Sequence, residues 1–208
     1  MTRWILLQVL IVATFLGQTY ARNPSLARPY SEVDLLPFNP HGQNANPHHL
    51  QHLIEKHKIT TVVEVGVGLG ASTADIAYAL PIKGKVYAVD QWEGFGGSPV
   101  PLAYNQFLSN VIHAQLTHKI FPLKMEGVDA AKHLQEAQVD LVYLNASKDT
   151  GFMLEDLYTW YPLVKGHGIL CGGDWSLPPV AKAVEIFAEK KGLKVIVHES
   201  FWRLREKK

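Results

Sequence analysis

Short apolar runs alternate with segments of helical period along most of this chain. The runs predict β-strands over residues 61–65, 85–89, 119–124, 139–144 and 168–171. After each run, apolar residues recur every three or four positions, as they do on one face of a helix. These segments predict helices over 71–80, around 107–112, and over 128–135, 151–161 and 179–190. Another helix is predicted from residue 47 to about residue 57.

The last two predicted strands, 194–198 and 201–204, are separated by only two residues. A parallel pair needs a crossover of about a dozen residues or more, so these strands must form an antiparallel hairpin. Five strand–helix units followed by this hairpin predict an α/β fold. The expected architecture is a doubly wound, seven-stranded sheet with an antiparallel last strand.

The N-terminal segment, residues 1–21, has a different pattern from the rest of the chain. A positively charged start is followed by an apolar run over 5–17 and by the small residues Thr19 and Ala21. The run is shorter than the roughly 20 residues that span a membrane, and its order is typical of a secretory signal peptide cleaved after Ala21. The alternative is an uncleaved anchor in contact with a membrane. We therefore expect a secreted or periplasmic protein if cleavage occurs, and a membrane-anchored protein otherwise.

The remainder divides into an irregular lead-in, 22–47, and a single domain, 48–208. The lead-in is rich in Pro, Asn and Gly, and its end, Asn46 and Pro47, is typical of a helix cap and first turn. The chain has 208 residues, of which 47% are hydrophobic and 19% charged, and its net charge is +1. This composition predicts a globular protein and gives no reason to expect a nucleic-acid partner. The single cysteine, Cys171, excludes an internal disulfide.

Candidate chemistry begins at the end of the first predicted strand. That strand carries Glu64 and is followed by glycines at alternate positions, Gly66, Gly68 and Gly70. The order of strand, glycine turn and helix lets a ligand approach the backbone and meet the N–H groups of a helix N-terminus. A second acid, Asp90, closes the next strand 20 residues past Gly70, where an acid that binds ribose is expected.

The glycine spacing narrows the choice of nucleotide-like ligand. It differs from the Gly-x-Gly-x-x-Gly of dinucleotide-binding folds, and Glu64 would repel a phosphate by like charge. S-adenosylmethionine carries a ribose, an amino group and a sulfonium but no phosphate, so it fits an acid-lined glycine loop better than NAD does. The alternatives are a glycine turn with no ligand and a dinucleotide-dependent oxidoreductase.

Residues 62–203 resemble class I S-adenosylmethionine-dependent methyltransferases, and most closely the group called methyltransferase domain family 24. Three segments carry the resemblance: Val-Asp-Gln-Trp-Glu-Gly at 89–94, Phe-Leu-Ser-Asn at 107–110, and Asp-Trp at 174–175. The resemblance implies a Rossmann-like methyltransferase fold with S-adenosyl-L-methionine as its cofactor.

The same resemblance assigns cofactor binding to Glu64, Gly66, Gly68, Gly70, Asp90, Gln91, Trp92, Gly127, Val128 and Asn145. It implies that Glu64 and the glycine loop hold the methionine part, and that Asp90 binds both ribose hydroxyls. Gln91 and Trp92 would flank the adenine, and segment 126–128 would border its edge.

The catalytic side departs from the family pattern at three positions. The fourth strand usually ends Tyr-Ile-Asp-Ala-Ser-His and the fifth Gly-Asp-Asp-Trp. This chain has Asn145, Lys148 and Gly173 in place of an acid, a histidine and a second acid. Related metal-dependent enzymes bind a divalent cation through acids at these strand ends. Because magnesium prefers several charged oxygens, we expect no metal here.

Two residues remain as catalytic candidates, Lys148 and Asp174. Catechol-type O-methyltransferases place a lysine in a similar loop after the fourth strand, where it serves as the base, and Lys148 followed by Asp149 resembles that arrangement. A lysine can take the acceptor's proton if its surroundings lower its pKa. The alternative is an ordinary solvated lysine.

The predicted function is therefore S-adenosylmethionine-dependent methylation of a small-molecule acceptor, at oxygen or nitrogen. The alternative is a non-catalytic protein that keeps the fold and binds S-adenosylmethionine but has lost catalytic residues at the rim. The loops 95–101 and 176–179, which should shape the acceptor pocket, carry no recognisable code for the acceptor, and the oligomeric state stays open.

Overall fold

A computed structural model describes residues 22–39, 46–93 and 100–206. The predicted signal or anchor, 1–21, and most of the predicted acceptor loop 95–101 lie outside the described residues. Among the helices that are described, none is both long enough and apolar enough to cross a membrane.

Seven strands form a single mixed sheet in the described part of the chain. The strands are β1 Thr61–Val65, β2 Lys85–Asp90, β3 Ile120–Lys124, β4 Val139–Leu144, β5 Val164–Gly172, β6 Leu193–His198 and β7 Phe201–Glu206. Their order in the sheet is β3-β2-β1-β4-β5-β7-β6. Strands β1 to β5 run parallel, and β7 is antiparallel to both β5 and β6. The predicted doubly wound sheet with a reversed last strand is therefore confirmed.

Helices cover both faces of the sheet and divide the core in two. The helices are α1 Pro47–His57, α2 Ala71–Ala79, α3 Val100–His113, α4 Gly127–His133, α5 Thr150–Trp160 and α6 Pro178–Lys191. Alternate strand residues supply the two halves: Val62 packs with the side of α1, α2 and α3, whereas Val63 packs with the side of α4, α5 and α6. Two short 3₁₀ turns, Tyr30–Glu32 and Tyr161–Leu163, complete the set in the described ranges.

Strand β5 is longer than its apolar pattern predicts, because it begins at Val164 and not at Gly168. Its register against β4 shifts between the pairs Val139–Val164 and Leu141–Ile169. Residue 168 must be small at this irregularity, since a Cβ there would lie 2.8 Å from the carbonyl oxygen of Asp140. The first half of the strand is polar at alternate positions, which hides it from a search for apolar runs.

The lead-in packs against α3 and the end of the sheet. The Tyr30 hydroxyl donates to the Ile120 carbonyl at 2.9 Å, and the Leu36 amide donates to the Ser109 hydroxyl at 3.0 Å. Asn110 joins this segment to the glycine turn, because its side-chain amide donates to the carbonyls of Asn39 and Leu69, each at 2.9 Å. The asparagine of the Phe-Leu-Ser-Asn segment thus braces the loop after β1.

Candidate active site

A cleft of about 800 Å³ opens at the carboxyl ends of the central strands. It lies where β1 and β4 are neighbours, at the point where the strand order reverses, which is the usual ligand site of doubly wound sheets. Nine of the twelve predicted site residues line it: Gly66, Gly68, Asp90, Gln91, Trp92, Gly127, Asn145, Lys148 and Asp174. Glu64, Gly70 and Val128 lie outside its wall.

The glycine turn between β1 and α2 requires its glycines for geometric reasons. All three have positive φ, at 85°, 52° and 90°. A Cβ on Gly66 would lie 2.5 Å from the Cα of Ala146, so the loop after β4 passes directly over this residue. Gly70 is the N-cap residue of α2, and a Cβ there would meet the Phe107 ring at 2.9 Å. Gly66 and Gly68 therefore present backbone to the cleft, while Gly70 shapes the turn from behind.

Glu64 is completely buried behind the cleft wall. The Ser72 hydroxyl donates to its Oε1, while Oε2 has no hydrogen-bond partner among the described residues. Burial raises the pKa of Glu64 to about 7, although the Ser72 hydroxyl opposes the rise. Ser72 lines the cleft at the first turn of α2, so Glu64 is connected to the cleft through Ser72.

Asp90 is held in one orientation by two backbone amides. Its Oδ2 accepts from the Gly68 N–H at 3.0 Å and its Oδ1 accepts from the Trp92 N–H at 2.8 Å. Each carboxylate oxygen has a further lone pair that can accept from a ligand hydroxyl. The acid is therefore both braced against the glycine turn and available to the cleft.

The Trp92 side chain lies almost entirely in the core, with 1% of its surface exposed. Its indole N–H donates to the Gly68 carbonyl at 2.8 Å, and its ring packs on Tyr104 and Phe107 at centroid distances of 4.6 and 4.9 Å. Trp92 thus holds the Gly68 backbone in place. Of the two residues predicted to flank the adenine, Gln91 is more exposed than Trp92.

Another part of the cleft contains two polar residues that the sequence reasoning missed, Ser147 and Asp156. The Ser147 hydroxyl donates to Asp156 Oδ2 at 2.6 Å. Burial raises the pKa of this carboxyl, and the Ser147 hydroxyl opposes the rise. A sequence signal existed: Asp156 is an acid in the apolar stripe of α5, whose buried members are Met153, Leu157 and Trp160.

The two catalytic candidates form an ion pair at the rim. Lys148 Nζ lies 2.6 Å from Asp174 Oδ2, with 62% of the lysine side chain and 35% of the aspartate side chain exposed. Asp149, which the catechol-like pattern placed beside Lys148, instead caps α5 by accepting from the Gly151 amide at 2.7 Å. The structure therefore brings Lys148 together with the acid after β5.

Asn46 was also missed as a cleft residue, because its place before Pro47 is typical of a helix cap. Helix α1 begins at Pro47 with Asn46 as its N-cap residue, as predicted, but the Asn46 side chain makes no capping hydrogen bond. The Asn46 amide turns inward, donating to the Tyr143 hydroxyl at 3.2 Å and accepting from the Ser200 hydroxyl at 3.1 Å. Only 3% of Asn46 is exposed.

Gly173 faces this cluster of neutral polar groups. A Cβ on Gly173 would lie 3.0 Å from Asn145 Oδ1, 3.0 Å from the Tyr143 hydroxyl and 3.2 Å from Asn46 Nδ2. The acid that the family usually carries here would crowd all three side chains, which would have to move by a few tenths of an ångström. In the described ranges no group of three or more His, Cys, Asp or Glu side chains could hold a metal ion. The donors that do meet here are amides and a phenol, a poor fit for magnesium.

Solved structures with the same fold include O-methyltransferases. The O-methyltransferase from Bacillus cereus, solved in complex with SAH, is 14% identical and aligns over 96% of this chain and 88% of its own, with a TM-score of 0.63. The O-methyltransferase TomG from Streptomyces achromogenes, involved in tomaymycin synthesis and solved with SAM, is 15% identical over 82% and 81%, with a TM-score of 0.61. No curated protein matches the sequence significantly.

The fold and the cleft together define a class I S-adenosylmethionine-dependent methyltransferase. The sequence model of methyltransferase domain family 24 matches residues 63–175 of this chain. The chain belongs to this family, and its cofactor is S-adenosylmethionine.

Proposed function

We propose that this protein is an O-methyltransferase that uses S-adenosylmethionine to methylate a hydroxyl group of a small molecule without a metal ion. One observation carries the proposal: the Lys148–Asp174 ion pair lines the same cleft as the glycine turn and Asp90. The Bacillus cereus and Streptomyces achromogenes proteins that share this fold are both O-methyltransferases, which favours oxygen over nitrogen as the acceptor atom.

The cofactor end of the cleft suits a ligand with a diol and an amino-acid group. Asp90 would accept hydrogen bonds from the ribose hydroxyls, and the backbone of Gly66 and Gly68 would lie against the methionine part. The backbone N–H groups of Ala71 and Ser72, in the first turn of α2, are placed to bind a carboxylate, because the Ser72 hydroxyl already donates to Glu64. When bound, the cofactor supplies an electrophilic methyl group attached to a positively charged sulfur.

The acceptor hydroxyl must lose its proton as its oxygen bonds to the methyl carbon and the carbon–sulfur bond breaks. The Lys148 Nζ donates to Asp174 Oδ2 at 2.6 Å, and a lysine engaged in such an ion pair has no lone pair to offer the acceptor. We therefore assign the proton to the Asp174 carboxylate. The Lys148 ammonium then stabilises the negative charge that develops on the acceptor oxygen.

Substitutions at the pair test this assignment, with turnover measured as release of S-adenosylhomocysteine in the presence of a panel of phenols, alcohols and amines. Lys148→Arg keeps the charge but cannot act as a base, since a guanidinium is not deprotonated in proteins. We expect it to keep about a tenth or more of the activity. Lys148→Met and Asp174→Asn should each lose about 100-fold or more.

The exposed pair Asp129–Lys132, at 2.9 Å on α4, supplies matched controls. Asp129→Asn and Lys132→Arg should leave turnover unchanged. If Lys148→Arg is as inactive as Lys148→Met, Lys148 is the base that the resemblance to catechol enzymes predicts, and the proton does not pass to Asp174.

The non-catalytic alternative stays a prediction that the same assay tests. It would be supported if the wild-type protein binds S-adenosylhomocysteine but methylates no acceptor in the panel. Methylation of amines in preference to hydroxyls would contradict the choice of oxygen. Loss of turnover on treatment with a chelator, restored by added magnesium, would contradict the metal-free mechanism.

A further inference from the structure

Asp156 is a cleft residue to which the family resemblance gives no role. It lies on α5, is half-buried, and is held by the Ser147 hydroxyl at 2.6 Å. Among the described residues, Ser147 is the only one whose side chain hydrogen-bonds to this carboxylate. The bond goes to Oδ2, so Oδ1 keeps its acceptor capacity for a ligand in the cleft.

The space in front of Asp156 is kept open by a glycine. A Cβ on Gly127 would lie 3.5 Å from Asp156 Oδ1 and 3.6 Å from Trp160 Nε1. The Trp160 N–H is fully buried and has no hydrogen-bond partner in the described part of the chain. This corner of the cleft therefore presents an oriented acceptor beside the apolar side chain of Met125, while the Trp160 N–H lies behind the wall.

The strand order indicates which part of the cofactor reaches this corner. Strands β1, β2 and β3 are neighbours, with β2 in the middle, and Asp90 at the end of β2 marks the ribose. The glycine turn after β1 lies on one side of that position. Met125 and Gly127, which follow β3, lie on the other. If the methionine part occupies the glycine turn, the base extends toward Met125 and Gly127, a placement that rests on the proposed function.

We infer that Asp156 accepts a hydrogen bond from the 6-amino group of the adenine, and that it selects adenosyl over inosyl ligands. An ionised carboxylate can only accept, so it pairs with the amino group and repels the 6-oxo group of an inosyl ligand. Ser147 is a positioning residue, because it fixes the carboxylate in the orientation that faces the base. Met125 supplies the apolar contact with the adenine ring.

Calorimetry on the full chain with two probes tests this inference without knowledge of the acceptor. The probes are S-adenosylhomocysteine and its 6-oxo analogue, S-inosylhomocysteine. Asp156→Leu removes the acceptor and suits the apolar stripe of α5, so the variant should fold. We expect it to bind S-adenosylhomocysteine about 10- to 100-fold more weakly and to lose the preference for that ligand over the inosyl form.

Three further variants separate recognition from general effects of charge and packing. Glu155→Leu removes a carboxylate from the exposed side of the same helix and should leave both affinities unchanged. Asp156→Asn can turn either its oxygen or its amide toward the base, so it should bind both probes with similar affinity. Ser147→Ala should weaken S-adenosylhomocysteine binding about fivefold, because the carboxylate loses its orientation.

The outcomes distinguish this inference from the proposed function. If wild type and Asp156→Leu bind S-adenosylhomocysteine equally, or if the preference over the inosyl ligand survives in Asp156→Leu, the role of Asp156 is wrong and the cofactor site stands. If the folded wild-type protein binds neither probe, the cofactor site itself is wrong and the inference falls with it.

Discussion

The two ends of the cleft are built from different kinds of contact. At the cofactor end, backbone groups predominate, since Gly66 and Gly68 have positive φ and the Gly68 amide is bonded to Asp90. At the acceptor end, side chains predominate. The Asn46 amide, the Tyr143 hydroxyl and the Asn145 amide meet around Gly173, while Lys148 pairs with Asp174.

This difference bears on which part of the site can change without loss of the fold. A turn whose glycines have positive φ and touch a neighbouring loop accepts no other residue at those positions without strain. A cluster of side chains can be exchanged one member at a time. The cofactor end therefore follows the family pattern, and the departures at Asn145, Lys148 and Gly173 all fall at the acceptor end.

The largest expected effect is at the cofactor end. Gly66→Ala forces a side chain into positive φ and places its Cβ 2.5 Å from the Ala146 backbone. The free energy of unfolding should fall by about 3 to 4 kcal/mol, from backbone strain and overpacking together. Urea denaturation measures the fall, and calorimetry should detect no binding of S-adenosylhomocysteine.

Gly166→Ala is the matched control for that substitution, because a Cβ there meets nothing within 4 Å. It should change the free energy of unfolding by less than about 1 kcal/mol. Equal losses in Gly66→Ala and Gly166→Ala would mean that the glycine turn is no more constrained than an uncrowded position in β5, and the contrast between the two ends of the cleft would disappear.

Glu64 makes the stability of the cofactor end depend on pH. Its folded pKa of about 7 lies above the ordinary value of 4.5 because burial disfavours the charged form. The folded state then holds the proton more tightly than the unfolded state does. The stabilising effect is complete below pH 4.5 and is lost as the pH rises through 7, for a total of about 3 kcal/mol.

Glu64→Gln mimics the protonated form and cannot titrate, so the comparison between wild type and variant isolates this one group. The difference in unfolding free energy, measured from pH 4 to pH 9, should shift in favour of the variant as the pH rises. A difference that stays constant across this range would contradict the raised pKa. The acceptor-end substitution Asn145→Ala should show a constant difference, because an amide does not titrate.

The same contrast explains how much could be predicted from the sequence. The alternation of strands and helices predicted the sheet and its reversed last strand, and the glycine spacing predicted the turn at the cleft. Both depend on residues close together in the sequence. Asn46 could not be predicted, because its side chain meets Tyr143, 97 positions away, and Ser200, 154 positions away. Neighbouring residues alone made it resemble a helix cap.

Asp156 and strand β5 illustrate two other limits. The acid was visible in the stripe of α5, but an isolated acid in an apolar stripe gains a meaning only when Ser147 and Gly127 are seen beside it. The first half of β5 was hidden because it is polar at alternate positions, and one of its polar residues, Lys165, pairs with Asp140 on the neighbouring strand at 2.6 Å. In each case a contact between distant residues compensates for a local pattern that predicts something else.

The smallest expected effect concerns the acceptor end, where Gly173→Asp restores the acid usual in the family. Because the Asn46, Tyr143 and Asn145 side chains already occupy the space, the variant should lose about 1 to 2 kcal/mol of unfolding free energy through overpacking.

Added magnesium should not raise the melting temperature of Gly173→Asp, since the other donors are neutral. Combining the change with Asn46→Ala removes one collision, so the double variant should be more stable than the sum of the single effects predicts. Strictly additive effects, or stabilisation of Gly173→Asp by magnesium, would show that the cluster does not exclude a metal by occupying its place, and that the acceptor end differs from its metal-dependent relatives only in charge.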